Sequence, residues 1–269
     1  MAHYPAPLDK LLTLGEPDDS EKASDYQVMG LGPEHIPDLI RMATDPALNE
    51  GDSNTPDVWA PLHAWRALGR LHAETAVEPL LGLLDDAEKR GDDWLLEDLP
   101  EVLGEIGPGA IPALAAYLAD QLHGVFARAA AARGLTHGAE LHPEAREQCV
   151  EILSRELEAA AQNDPRLNGL LIAYLLDLHA TEAAPVMERA LAGGHVDETV
   201  AGNWEYVQYE LGLRTKPPSF RMPTRPPRFG PPIPDFAGES VRPDRKAKAK
   251  AKKKRKEAAK ARKRNRKRR

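Results

Sequence analysis

Apolar and polar positions along this chain alternate in a way that predicts pairs of amphipathic helices joined by short turns. In LGEIGPGAIPALAAYL, residues 103–118, an apolar segment ends at Ile106, a Gly-Pro-Gly turn follows, and a second apolar segment begins at Ile111. Apolar residues spaced three and four apart indicate helices, and Pro112 falls in a first helical turn, where N–H groups have no intrahelical partner. The same arrangement recurs at residues 29–42, 68–84 and 175–191.

This recurrence predicts an all-α fold, an α-solenoid of about five HEAT-like helix pairs. Each pair carries an apolar stripe that only a neighbouring pair can cover, so the pairs are expected to stack. The second helices are predicted to begin at Ile36, Val77, Ile111 and Ala184. These starts are 41, 34 and 73 residues apart, and the last gap holds two repeats. Spacing in this range favours repeats of the HEAT or armadillo kind.

Composition divides the chain into four predicted parts. They are an irregular N-terminal lead-in at 1–24, the repeat solenoid at 25–213, a Pro-rich linker at 214–244 and a Lys/Arg-rich tail at 245–269. Nine prolines between positions 216 and 243 argue against a packed helix and favour an extended linker. The tail repels itself electrostatically, so we expect a disordered C-terminal extension.

Two segments within the repeats carry more detailed predictions. Residues 125–135 are rich in alanine, which predicts a helix that approaches its neighbours closely and pairs with a longer helix at 143–162. The closing segment, 197–213, has Trp204 and Leu211 at helical spacing. We interpret these two residues as a structural cap, because the last repeat of a solenoid needs a cover.

The repeat motifs resemble those of a known family. LGEIGPGAIPAL and MGLGPEHIPDLI are similar to the degenerate HEAT-like repeats of bacteria, the type also found in phycobilin lyase subunits, and the resemblance covers residues 25–213. The closing segment is similar to the end of uncharacterised bacterial HEAT-like proteins, in which Gly-Asp-Trp-Glu precedes a Val-Gln pair and Gly-Leu. This chain has Asn203 at the second of those positions. Such relatives often carry a cysteine-rich zinc module, but Cys149 is the only cysteine here, so no zinc or other cofactor is expected.

Other features of the sequence predict a cytoplasmic protein without a membrane anchor. A single cysteine, Cys149, allows no internal disulfide, and its helical spacing predicts a buried thiol. The first ten residues lack the pattern of a signal peptide. The apolar run at 170–176 is far shorter than the ~20 residues of a membrane-spanning helix.

The formal net charge of −6 conceals two opposed parts. Residues 1–213 contain 13 basic and 38 acidic residues, whereas residues 245–269 contain 17 Lys and Arg and one acid, Glu257. Such a basic tail predicts nonspecific binding to nucleic acid, with RNA expected. The predicted contact residues are Lys252, Lys253, Lys254, Arg255, Lys256, Arg262, Lys263, Arg264, Arg266, Lys267, Arg268 and Arg269.

Candidate catalytic and metal-binding residues are few. The chain has no Gly-rich phosphate loop, no Gly-x-Ser-x-Gly elbow and no His-Glu-x-x-His motif. The acids at 92, 93, 97 and 98 suit an ordinary helix start. His137, Glu140, His142 and Glu144 crowd a predicted loop, which defines no ligand geometry. We therefore predict no catalytic, cofactor-binding or metal-binding residues.

Repeated histidines and tryptophans are interpreted as structural residues. His72 and His179 each follow a predicted first helix, where an imidazole can bond the last free carbonyl groups of that helix. Trp59, Trp65 and Trp94 fall on predicted first helices, where packing between repeats is expected.

These features favour a non-enzymatic scaffold whose repeats bind a protein partner and whose tail binds nucleic acid. One alternative is a purely protein–protein adaptor whose tail docks on its own acidic repeats. Another is an enzyme or lyase-accessory subunit on a HEAT scaffold, which rests on analogy of fold alone.

Overall fold

The computed structural model describes residues 3–17, 26, 28–51 and 55–219. These residues form helices, turns and loops, and no strand occurs among them. The prediction of an all-α fold is therefore confirmed. The predicted tail and most of the predicted linker, from residue 220 onwards, lie outside the described residues.

Helices follow one another along the whole described part of the chain. They are α1 (Leu11–Leu14), α2 (Ile36–Ala43), α3 (Pro46–Asn49), α4 (Ala60–Arg70), α5 (Val77–Leu81), α6 (Leu84–Arg90), α7 (Asp93–Ile106), α8 (Ile111–Ala119), α9 (Val125–Leu141), α10 (Arg146–Glu158), α11 (Pro165–Asp177), α12 (Ala184–Ala192), α13 (Glu198–Ala201) and α14 (Trp204–Glu210). Short 3-10 turns precede several of them, as at Pro33–His35 and Pro108–Ala110.

The larger helices stack in two rows. The inner row consists of α4, α7, α9 and α11, and each packs against the next. The outer row consists of α2, α5, α8, α10 and α12, which also pack in succession. We call the first row the inner row because α4, α9 and α11 are buried along most of their length. Stacking of each helix pair on its neighbours is the architecture of a solenoid.

The helices that pack most closely are not those that the sequence paired. The sequence paired each helix with the one that follows a short turn of Gly, Pro, His or Thr, but the chain bends by 112° between α7 and α8. Instead α8 packs chiefly on α9, and α2 packs chiefly on α4. Gly107, with a φ of 102°, and the 3-10 turn Pro108–Ala110 redirect the chain out of the inner row. The closest partner of α2 or α8 is therefore the next inner-row helix, which lies across the longer polar loop that follows.

The alanine-rich helix is longer than predicted. The sequence predicts residues 125–135, whereas α9 runs six residues further, to Leu141. His137 and Glu140, expected in a loop, consequently lie on the helix. Small side chains such as Ala131, which is fully buried, bring α9 close to both neighbours in the inner row.

The N-terminal lead-in contributes a short helical segment at residues 8–14, where the sequence predicts a single turn. It contains the 3-10 turn Leu8–Lys10 and helix α1, which packs on α4 and on the 3-10 turn Pro56–Trp59. Leu8 and Leu11 are fully buried. The lead-in therefore covers the first helix of the inner row.

Short polar side chains cap several helices. Each of them accepts a hydrogen bond from a backbone N–H group in the first turn, which has no intrahelical partner. The capping residues are Asp45, Asp92, Asp164, Asp197 and Asn203. At α9 the cap comes from another helix, because Glu88 of α6 accepts from the N–H groups of Phe126 and Ala127.

The closing segment forms a reduced last pair. Helix α13 packs on α11, and α14 packs on α12. Val207 is fully buried in this contact and Leu211 is 8% exposed, whereas Trp204 is only half-buried. Val207, which lies between the two predicted cap residues, is thus part of the cover as well.

One buried arginine joins three consecutive helices. Arg128 on α9 is 5% exposed. Its Nε donates to the carbonyl oxygen of Leu118 at the end of α8, at 2.7 Å, and its guanidinium pairs with Glu156 of α10. Nη2 also donates to Oδ1 of Asn163 at 3.1 Å. This residue links the two rows through hydrogen bonds as well as packing.

Among the described helices, no single one is both long enough and apolar enough to cross a membrane. One bent pair, Trp94–Ile106 with Pro108–Ala119, meets the same criteria only when its two parts are added together. Leu103 and Leu114 of this pair are almost completely buried between the rows.

Candidate functional site

The inner row is largely buried, but α7 exposes one stripe of side chains. Trp94 and the residues three, four, seven and eleven positions after it lie on one face of the helix. The residues of the stripe are Trp94, Glu97, Asp98, Glu101 and Glu105. We call this set the α7 stripe. It combines an aromatic ring at the start of the helix with four carboxylates along it.

Trp94 is the largest exposed side chain of this stripe, with half of its surface accessible. Its ring packs edge-on against Trp59, with 5.6 Å between the ring centroids and 80° between the ring planes. Trp59 ends the 3-10 turn that leads into α4. The sequence-based expectation that Trp94 is packed between repeats is therefore wrong in part, since one side meets Trp59 and the other faces solvent.

Asp98 is held by two residues of the neighbouring helix α4. The guanidinium of Arg66 forms an ion pair with Asp98, and both side chains are 12% exposed. Nε1 of Trp65 donates to Oδ2 of Asp98 at 2.8 Å. Because the pair is largely desolvated and fully hydrogen-bonded, it fixes the position of α7 relative to α4.

Glu105 lies in a more crowded environment at the far end of the stripe. Its carboxylate is 3.6 Å from the guanidinium of Arg70, and its side chain is 24% exposed. Burial raises the pKa of Glu105 above its ordinary value, and the charge of Arg70 opposes this shift. The carboxylates of Glu101 and Asp98 raise the pKa further.

A cleft of about 200 Å³ opens beside the stripe, between α4, α7 and α9. It is lined by Arg66, Arg70, Asp98, Glu101, Val102, Glu105, His137 and Leu141. Leu141 is 48% exposed. Of the two arginines in the lining, Arg66 pairs with Asp98 and Arg70 lies beside Glu105, so the carboxylate of Glu101 and the exposed edge of Leu141 can meet a ligand. Such a cleft suits a long side chain with an apolar stem and a cationic end.

The histidine and acid cluster forms local pairs. Nδ1 of His137 lies 3.3 Å from Oε2 of Glu140, and this hydrogen bond lowers the pKa of Glu140. Nδ1 of His142 lies 3.6 Å from Glu144. Within the described ranges, no group of three or more His, Cys, Asp or Glu residues is arranged to hold a metal ion.

Cys149 has the environment of a structural thiol. It is fully buried on α10, and burial raises its pKa to about 11. Only the thiolate is a strong nucleophile. A thiol held in this state at neutral pH is not activated for covalent chemistry.

The twelve basic residues predicted to contact nucleic acid, all between 252 and 269, lie outside the described residues. The two predicted cap residues, Trp204 and Leu211, lie on or directly after α14. The α7 stripe was missed by the sequence analysis, although the signal was present. Its positions alternate with the apolar stripe Leu95, Leu99 and Leu103 and lie on the opposite face of the same helix.

Comparisons with family models, curated proteins and solved structures gave no match to this chain. The resemblance of the repeat motifs to bacterial HEAT-like proteins therefore stays a prediction. The class of the protein, an all-α solenoid of stacked helix pairs, follows from its helices and their packing.

Proposed function

We propose that this protein is a non-enzymatic, cytoplasmic scaffold of the bacterial HEAT-like kind. Its repeats bind a protein partner through the α7 stripe, and residues 245–269 bind nucleic acid, with RNA as the expected ligand. The observation that carries the first part is the half-exposed ring of Trp94 at the head of the stripe. Tryptophan and arginine are enriched among the residues that contribute most to protein interfaces.

The surroundings of Trp94 support this role. Trp94 is backed by Trp59, so it is held in place while one side stays accessible. The Arg66–Asp98 pair fixes the helix beneath it. A rigid aromatic group loses little conformational entropy on binding, which favours affinity.

The sequence of the tail supports the second part. Each contact between a basic residue and a phosphate releases counterions, and 17 Lys and Arg within 25 residues provide many such contacts. The tail contains no aromatic residue, so stacking on bases is not expected. Binding should therefore depend on charge and be insensitive to base sequence.

Crosslinking from a defined position tests the protein-binding surface. A photoreactive aromatic amino acid at position 94, which keeps a ring beside Trp59, should capture a protein partner in cells, because position 94 would lie in the interface. The same group at Glu147, an exposed position on α10 of the outer row, is the control. Equal capture of the same proteins from both positions would argue against an interface on the α7 stripe.

Titration with salt tests the nucleic-acid function. Full-length protein should bind single-stranded RNA with a log–log salt slope near −4 to −5 if ~6 phosphates are contacted. Deletion of residues 245–269 should abolish this binding, because the remaining repeats are strongly acidic. The nucleic-acid function is excluded if the intact protein shows no affinity for RNA or DNA at low salt.

A further inference from the structure

The side chains of the α7 stripe favour one chemical class of protein partner. Resting on the proposed protein-binding function, we propose that its ligand is an arginine- and lysine-rich segment of another protein, bound in an extended form along α7. The site recognises it through Trp94 at one end, the carboxylates of Glu97 and Glu101 in the middle, and the cleft beside Glu105 at the other end.

Charge complementarity favours a basic ligand over an acidic or neutral one. Among the stripe carboxylates, Asp98 is neutralised by Arg66, and Arg70 lies beside Glu105. With Glu97 and Glu101 on the same face, the stripe carries four carboxylates beside two guanidinium groups, and Glu97 is exposed. Placing an acidic ligand here would bring like charges together, which costs binding energy and slows encounter. A nucleic acid is disfavoured for the same reason.

Trp94 gives the surface a preference for cations rather than for apolar side chains alone. A guanidinium or ammonium over an indole face is attracted to the ring by a cation–π interaction. Trp94 and Glu97 lie three positions apart on one face of α7, so one arginine can stack on the ring and pair with the carboxylate. Arginine suits both contacts better than lysine, because its planar group stacks and forms paired hydrogen bonds.

The dimensions fit a short extended segment. From Trp94 to Glu105 the helix rises ~16 Å, at 1.5 Å per residue. An extended chain covers that distance with about five residues, at ~3.3 Å per residue. Alternate side chains of such a segment point the same way, so two or three basic residues can face the stripe while the cleft beside α9 takes the last of them.

A peptide-binding measurement on the full-length protein tests this assignment. The probe is a fluorescent arginine-rich peptide with glycine and serine spacers, and its counterpart carries glutamate in place of each arginine. The arginine peptide should bind, and the glutamate peptide should not. Equal binding of the two peptides would overturn the proposal.

Matched variants separate the stripe from general acidity. The double variant Glu97→Gln/Glu101→Gln should weaken binding of the arginine peptide about tenfold, which corresponds to ~1.4 kcal/mol. The control Glu147→Gln/Glu188→Gln removes the same charge from exposed positions on α10 and α12 and should change affinity less than about twofold. Equal losses in the two double variants would assign the binding to net charge and overturn the proposal.

Substitutions at Trp94 test the aromatic part. Trp94→Ala should weaken binding, whereas Trp94→Phe should retain part of it, since phenylalanine keeps a weaker cation–π face. If Trp94→Ala binds the peptide as tightly as the natural protein, the aromatic contact is wrong. Circular dichroism of both variants should be unchanged, because half of the ring is already exposed.

Two outcomes distinguish this inference from the proposed function. If crosslinking at position 94 captures a partner but the arginine peptide does not bind, the scaffold function stands and the basic ligand is wrong. If deletion of residues 245–269 strengthens peptide binding more than about tenfold, the natural occupant is the basic tail of this chain, and the assignment to another protein is overturned.

Discussion

Gly104 on α7 and Gly138 on α9 face each other in an asymmetric contact. A Cβ atom on Gly104 would lie 2.8 Å from the backbone nitrogen of Gly138 and 2.9 Å from Cβ of His137. A Cβ atom on Gly138 would come no nearer than 3.7 Å to Gly104, which is an ordinary van der Waals distance. The two helices thus approach so closely that only one of the two glycines leaves room for a methyl group.

This asymmetry predicts opposite effects of the same substitution. Gly104→Ala should lower the free energy of unfolding by about 1–3 kcal/mol, because the methyl group meets backbone that cannot move aside easily. Gly138→Ala should be neutral or stabilising by up to ~1 kcal/mol, since alanine is the better helix former. Urea unfolding of the two variants measures both changes. Equal destabilisation by the two substitutions would contradict the packing of α7 on α9.

The pair between Arg66 and Asp98 gives a second stability prediction. Asp98→Ala should cost about 3–5 kcal/mol, because it leaves a largely buried guanidinium and the Nε1–H group of Trp65 without their acceptor. The matched control is Glu151→Ala, which breaks an exposed pair with Arg155 and should cost less than about 1 kcal/mol. Chemical denaturation of the two variants measures both losses in the free energy of unfolding, and equal losses would contradict the role of the buried pair.

The last, short pair of helices, α13 and α14, predicts how far two substitutions at the C-terminal end of the solenoid lower the stability of the protein. Val207→Ala should destabilise by about 2 kcal/mol, as expected for losing two buried methyl groups and leaving a small cavity. Trp204→Ala should cost less than the ~3 kcal/mol of a fully buried tryptophan, because its ring is half-buried. Thermal melting of both variants provides the comparison. An unchanged melting temperature in Val207→Ala would show that α14 does not cover the last repeat.

Burial of Cys149 predicts slow chemical modification. In the folded protein at neutral pH, a thiol reagent should label Cys149 only as fast as the chain opens, and labelling should become rapid in denaturant. The raised pKa has a consequence at alkaline pH as well. The stability that it contributes is present below the ordinary value of 9.0 and is lost as pH rises towards about 11, because the unfolded chain ionises first. Cys149→Ser should remove the labelling and serves as the control.

Helix starts were the part of the fold that the sequence predicted best. Helices α2, α5, α8 and α12 begin at Ile36, Val77, Ile111 and Ala184, the four positions predicted from the turns before them. These starts depend on local chemistry, namely the turn residues and the proline of the first helical turn. Contacts between helices depend on where the turns send the chain, and no local pattern encodes that direction.

His72 shows where local reasoning fails. The sequence indicated a bond to the carbonyl groups of its own helix, α4. In the structure its φ is 49°, a left-handed conformation, and its Nδ1 lies 2.8 Å from the carbonyl oxygen of Glu105 on α7. His179 shares the same φ at the equivalent turn. The acceptor sits 33 positions along the chain, so only the stacked arrangement brings the two groups together.

The exposed face of α7 was unpredictable for a related reason. A tryptophan with acids at helical spacing is compatible both with a solvated helix face and with packing between repeats. Which applies depends on the neighbouring residues, and the contact of Trp94 with Trp59, just before α4, leaves half of the Trp94 surface exposed. The side chains of the stripe were therefore visible in the sequence, while their accessibility was not.

The bonds of Arg128 have a consequence for the mechanical behaviour of the molecule. Because α8, α9 and α10 all hold this one guanidinium, none of the three can detach under force without stranding a buried charge. Stretched between its ends in an optical trap, the solenoid should lose these helices in one large step.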